Sequence, residues 1–251
     1  MATRAAWGRV GTACYVRTRG RRPCRRGASM SRKGIAILAL GAAPGLLAGC
    51  VFVNGEAAVI GSGRVVEESR EVEPFERLSL ACAADAEVHV GEEPSVRLAA
   101  EDNILPLITT EVSGGTLRIS GSGSYWTRHG VKLTVGTPRL TSVSLAGSGD
   151  VTIENVDADS FRVEVRGSGD VTASGRARRV EVLLMGSGDV DLAGLRAEEA
   201  EVSVLGSGDV DLYAARRLSC EIRGSGDVTY RGNPEEVHKS VFGSGDVTPA
   251  P

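Results

Sequence analysis

The chain has 251 residues, 41% apolar, 24% charged and only ten aromatic, which suits a core of Val, Leu, Ile and Ala and argues against a broad, deep pocket walled by rings. Its 33 glycines, about 13% against a usual 7%, follow no Gly-X-Y period, which excludes collagen, and the abundant Val and Leu exclude wholesale disorder. The net charge of −3 averages two unlike segments: no Asp or Glu precedes residue 56 while ten of the 29 Lys and Arg do, leaving 19 basic against 32 acidic residues, a net −13 that excludes nucleic acid as a partner.

Residues 1–29 hold eight Arg and exceed the usual length of an export signal, so Met30 is expected to be the true start and the preceding segment an artefact of the gene start or a disordered extension. Residues 30–49 form a signal peptide, with Arg32 and Lys33 ahead of an apolar stretch from Gly34 to Gly49 that is too short for a comfortable transmembrane helix. Its end, Leu47-Ala48-Gly49-Cys50, resembles the lipobox of bacterial lipoproteins. That resemblance implies a diacylglycerol on Cys50, cleavage before it, and a mature protein held to a membrane by more than one acyl chain. Val51 lacks the Asp that retains some lipoproteins in the inner membrane, which favours the outer membrane or cell surface, and residues 50–60 read as a short linker.

Gly-Ser-Gly-Asp-Val then occurs six times, beginning at Gly147, Gly167, Gly186, Gly206, Gly224 and Gly243, at spacings of 18 to 20 residues. Apolar and polar residues alternate before each copy, as at Val163 and Val165 or Val182 and Leu184, and the Val after each turn repeats in phase. Period-two alternation marks strands with one buried face. A unit of strand, turn, short strand and looser return cannot bury that face alone, and it is too short for a βαβ crossover or a propeller blade. Stacking equivalent strands in parallel resolves both, so the fold class is all-β: a right-handed parallel β-helix, or β-solenoid, of about 19 to 20 residues per coil. Six coils at a strand spacing near 4.8 Å rise roughly 29 Å.

The register decays toward the N-terminus, through Cys82-Ala83-Ala84-Asp85, Gly121-Ser122-Gly123 and Gly61-Ser62-Gly63. Residues 61–248 therefore read as one continuous solenoid, irregular over 61–139 and regular over 140–248, with an extra hairpin or loop from Thr127 to Pro138. Together with Asp102-Asn103-Ile104-Leu105-Pro106-Leu107 and Tyr230-Arg231-Gly232-Asn233-Pro234, these motifs resemble the auto-transporter adhesin head domain, or head-GIN, family over nearly the whole mature chain. The resemblance implies a β-helical fold, export to the bacterial envelope and an adhesin-like role. The sequence departs from the auto-transporter part of that name, because no C-terminal β-barrel of alternating strands follows the repeats.

Stacked turns would align Asp150, Asp170, Asp189, Asp209, Asp227 and Asp246 along one corner, where neighbouring carboxylates about 5 Å apart repel by roughly 1 kcal/mol in water. Hydrogen bonds from turn N–H groups would hold them ionised. Calcium is the other means, since Gly-x-Gly-x-Asp repeats bind Ca²⁺ in parallel β-rolls. Here, however, the Asp follows the second glycine directly and only one such turn occurs per coil, so the expectation is a structural ladder without cofactor or metal. His89, His129 and His238 are isolated, and Cys220 reads as a small core residue unlinked to Cys82.

The segment Ser124 to Gly130 breaks the pattern with Tyr125, Trp126, Arg128 and His129. It is either a loop that contacts sugar or protein, or a cover in which Trp126 closes a flank of the core, and the second is favoured. Outward positions Ser144, Glu164, Leu183, Ser203, Glu221 and Ser240 form a varied, solvated face with no catalytic centre. The functional reading is a lipid-anchored envelope protein that is not an enzyme, presenting a rigid surface to an envelope glycan or protein. The alternatives are a self-associating structural component and, behind it, a polysaccharide-acting enzyme.

Overall fold

The structure is a computed structural model that describes residues 51–53 and 56–250. Residues 1–29, the signal segment 30–49, and the lipobox Leu47, Ala48, Gly49 and Cys50 lie outside the described residues. The first half contains β1 (Val51–Val53), β2 (Glu56–Ile60), β3 (Val65–Arg70), β4 (Arg77–Ala81), β5 (Asp85–Val90), β6 (Ser95–Glu101), β7 (Ile108–Ser113), β8 (Thr116–Gly121), β9 (Tyr125–Trp126) and β10 (Lys132–Thr137). The second contains β11 (Ser142–Leu145), β12 (Val151–Gly167), β13 (Val171–Gly186), β14 (Val190–Gly206), β15 (Val210–Gly224), β16 (Val228–Arg231), β17 (Glu236–Gly243) and β18 (Val247–Pro249).

Alternation drives the second half into a β-solenoid of about five turns of roughly 20 residues. β12, β13, β14 and β15 pair in parallel, placing Val163, Val182, Val202 and Cys220 in one inward column and Val165, Leu184, Val204 and Ile222 in the next. A second side stacks Val151, Val171, Val190, Val210, Val228 and Val247. Each fully buried Val or Leu contributes roughly 1.5–3 kcal/mol, so the column itself is the main source of stability. Both Cys82 and Cys220 are free and buried, and loss of hydration pushes their thiols up to about 11 and about 12.

The return between coils is a third strand rather than a loose connection. Val156, Gly175 and Leu195 pair across neighbouring coils, followed by Ala158, Ala177, Ala197 and Ala214. Paired exposed residues mark the corners on either side, at Glu154-Asn155 and at Asp159-Ser160. Asn155 has φ of 61°, a conformation Asn tolerates, and it is the one non-glycine residue with positive φ among the described residues.

Three expectations for the first half are corrected. The solenoid does not climb in chain order: β11 stacks on β4, and β8 stacks on the opposite side of β4, while β10 lies against β5 in the same way. The coil of β8 and β10 thus lies below that of β4 and β5, where its Leu117, Ile119, Leu133 and Val135 cover apolar residues that an open column would leave in water. Antiparallel partners flank this lowest coil, β7 on β8 and then β6 on β10 with β3 beyond it, so the region is a cap rather than an irregular continuation. Residues 127–138 are accordingly neither an extra hairpin nor a loop, since their β10 pairs with β5 and β6 as part of the lowest coil. The described residues of 51–60 are no linker either, because β1 and β2 pair antiparallel and β2 pairs with β9, the backbone of each strand finding its hydrogen-bond partners in the next.

Candidate functional site

The Gly-Ser-Gly-Asp corners stack without interruption. At Gly186, φ is +158° and a methyl group would overlap the carbonyl oxygen of Gly167; at Gly188, close approach alone forbids a side chain, which would overlap the carbonyl of Gly169. Backbone pairing runs through the turn, with Ser187 N–H donating to Gly167 O and Val190 N–H to Asp209 O, both at 2.9 Å. The carboxylates form the expected ladder, but between coils rather than within turns. Asp150 Oδ1 accepts from Asp170 N–H at 3.1 Å and Asp170 Oδ1 from Asp189 N–H at 2.8 Å. Asp189, Asp209 and Asp227 repeat the bond to the next coil at 2.7 to 2.8 Å. The degenerate corner joins in, since Asp85 Oδ1 accepts from Asp150 N–H at 3.3 Å, whereas Asp246, with no coil beyond it among the described residues, accepts from Val247 N–H at 2.7 Å. Among the described residues no three His, Cys, Asp or Glu side chains converge as a metal site.

The loop with Tyr125, Trp126, Arg128 and His129 is held as a strand. Val59 N–H donates to Ser124 O at 2.9 Å and Gly61 N–H to Trp126 O at 2.8 Å. Alternation within β9 turns Tyr125 onto the core, beside Cys82 and Gly121, where burial raises its hydroxyl above the usual phenol range. The covering ring is therefore Tyr125, and Trp126 is 62% exposed, contrary to the favoured expectation. Arg128 and His129 are also exposed.

Beneath this loop lies a residue that the sequence did not single out. Glu101 is wholly buried, with Oε1 accepting from Arg128 N–H at 3.4 Å and Oε2 without a partner, in a place where a side chain on Gly61 would collide with it. Its neighbours complete the clamp: Asn103 accepts from Ser62 N–H at 2.9 Å and donates to Ile60 O at 2.7 Å, while Ser62 Oγ donates to Asp102 at 2.6 Å. The Asp102-Asn103 motif thereby fixes Gly61-Ser62-Gly63, which is part of the cap and not a stacked corner. An acidic residue in an otherwise alternating strand carried no signal that it would be enclosed.

Among the described residues nothing covers the opposite end: β17 pairs only with β15, and β18 only with β16. At the level where Val163, Val182, Val202 and Cys220 fill the column, β17 presents Lys239. Its ammonium group bends across the end to donate to Val247 O and sits 5.4 Å from the Tyr230 ring centroid. Val241 and Phe242 remain 40% and 65% exposed.

Comparison with known proteins agrees with this architecture. A "putative adhesin" from Bacteroides fragilis is 24% identical with a TM-score of 0.62, and one from Parabacteroides merdae is 15% identical with a TM-score of 0.50. Each alignment covers 77% of this chain, with 100% of the first neighbour and 99% of the second. At these identities the likeness shows the fold. A search of functionally curated proteins finds no match. The family model described as "Putative auto-transporter adhesin, head GIN domain" matches residues 74–234. With that match spanning more than half its length, the chain belongs to the auto-transporter adhesin head GIN domain family.

Proposed function

We propose that the chain is a lipid-anchored, adhesin-like binding protein of the bacterial envelope, tethered through Cys50 and presenting the sides of its solenoid outward. The observation that carries this reading is the position of Trp126. β1 begins at Val51, the residue bonded to Cys50, and β1, β2 and β9 are successive strands of one small sheet. At about 4.8 Å per strand, a lipid on Cys50 brings the exposed Trp126 within roughly 10–15 Å of the anchor. An amphipathic indole beside an exposed Arg128 suits the membrane–water boundary, so the capped end sits at the membrane and the open end points away from it. Nothing in this arrangement calls for catalysis.

Trp126 is also the sole tryptophan beyond residue 7, which makes it a clean reporter. In the lipidated protein reconstituted into phosphatidylethanolamine/phosphatidylglycerol vesicles, its fluorescence is expected to be quenched by headgroup-level quenchers. Unquenched emission, with loss of envelope binding in Trp126→Ala, would instead assign the loop to a sugar or protein ligand. Cys50→Ser is expected to move the protein from the membrane fraction to the soluble fraction and to abolish incorporation of labelled palmitate. Persistence in the membrane fraction without label would overturn the anchor.

A further inference from the structure

The third side of the solenoid carries an arrangement that none of the preceding roles uses. Most outward arginines there are engaged by carboxylates of neighbouring coils. Arg176 binds Asp157 through two bonds of 2.8 and 2.9 Å, a contact that holds the Asp157 carboxyl below its usual range, and Arg217 and Arg231 bind Glu236 and Asp211. Arg139, Arg178 and Arg196 differ in having no carboxylate within ion-pair distance among the described residues, Arg139 acting on Asp157 only at longer range. Arg139 lines a hollow of about 550 Å³, and Arg178 and Arg196 line an adjoining one of about 480 Å³; the two share Asp157, Ala158 and Asp159. Ala158, Ala177 and Ala197 turn toward the core between these outward residues, so the floor of the trough is backbone running across successive coils. At its far end Arg196 lies 4.6 Å from the ring centroid of the half-buried Tyr213.

We propose that this trough binds a polysaccharide bearing uronate groups. Unpaired guanidinium groups on neighbouring coils supply charge-assisted donors to carboxylates spaced along a chain. Tyr213, over whose ring Arg196 rests, holds that guanidinium in place at the end of the trough. Asp159, which has no ion-pair partner among the described residues, supplies an acceptor for sugar hydroxyls. The same carboxylate, with Glu198 nearby, calls for hydroxyl donors beside the acids, which a uronate chain carries on its rings and a DNA backbone lacks. This inference supplies a ligand class for the binding role proposed above, and it is tested in solution, where the anchor plays no part.

The chain beginning at Val51 is titrated calorimetrically with short oligogalacturonate, oligomannuronate and hyaluronan, and with methyl-esterified oligogalacturonate. At least one acidic oligomer is expected to bind, and the binding to weaken with added salt. If oligogalacturonate is the binder, esterification weakens it at least about tenfold. The double variant Arg178→Gln/Arg196→Gln is expected to lose at least about tenfold and Tyr213→Ala about fivefold, while Arg118→Gln, on β8, and Trp126→Ala retain wild-type affinity. The proposal is overturned if none of the acidic oligomers binds, or if the double variant binds as the unaltered chain does. Either result leaves the quenching and fractionation experiments, and the reading they test, untouched.

Discussion

Lys239→Val is expected to make the open end adhesive to a second copy. The substitution completes the column begun by Val163, Val182, Val202 and Cys220, and it leaves the introduced valine and Val241 facing water beside the unpaired backbone of β17. In the unaltered protein, two such ends meeting would have to strip water from two ammonium groups, at several kcal/mol each, and lose the contacts of Lys239 with Val247 and Tyr230. An inward-pointing charge on an edge strand is a known defence against edge-to-edge pairing, reinforced here by Pro249 on the neighbouring strand. Sedimentation velocity over a concentration series should show association strengthened at least about tenfold in the variant. Equal sedimentation of the two proteins would mean that β17 is blocked by something other than the lysine. The experiment also bears on the self-associating alternative, which requires the unaltered end to stack.

Gly188→Ala is expected to cost at least about 3 kcal/mol, because the new methyl group overlaps a backbone carbonyl rather than a side chain that can swing away. Gly169 cannot retreat without displacing Gly149 beneath it, and Gly208 closes the stack above. Gly91→Ala provides the contrast: its φ of +98° is unfavourable for alanine, but a methyl there meets open space, so the cost is about 1–2 kcal/mol. Equilibrium denaturation in urea, followed by circular dichroism, separates the two. Equal destabilisation would show that the stack relaxes around the new methyl group, so that contact between stacked turns does not explain the second glycine of each corner.

The solenoid was legible because its cause is periodic. Once Val and Leu alternate around a turn that recurs every 18 to 20 residues, parallel stacking is the arrangement that buries them, and the inward place of Cys220 follows. The cap was not legible, because its strands find partners by position in space: nothing local says that β8 passes beneath β4 rather than above it. The orientation of Tyr125 and Trp126 was not legible either, since two adjacent rings at period two must face opposite sides, and only the pairing of β9 with β2 decides which faces in. The arginine trough was hidden for a different reason. The third side contains register shifts, as between Ile153 and Val156 or Leu192 and Arg196, so counting from the glycine turns does not bring Arg178, Arg196 and Tyr213 together.

The aspartate ladder gives the stack a direction. Each regular corner offers a carboxylate upward and an amide downward, so the top of any coil matches the bottom of any other. A whole coil can therefore be gained or lost by duplication or deletion of some twenty codons without a new junction having to be invented. Evolution is thereby handed a ruler graduated at about 4.8 Å, on which the separation between the sealed base and the lysine-tipped end can be lengthened or shortened one notch at a time.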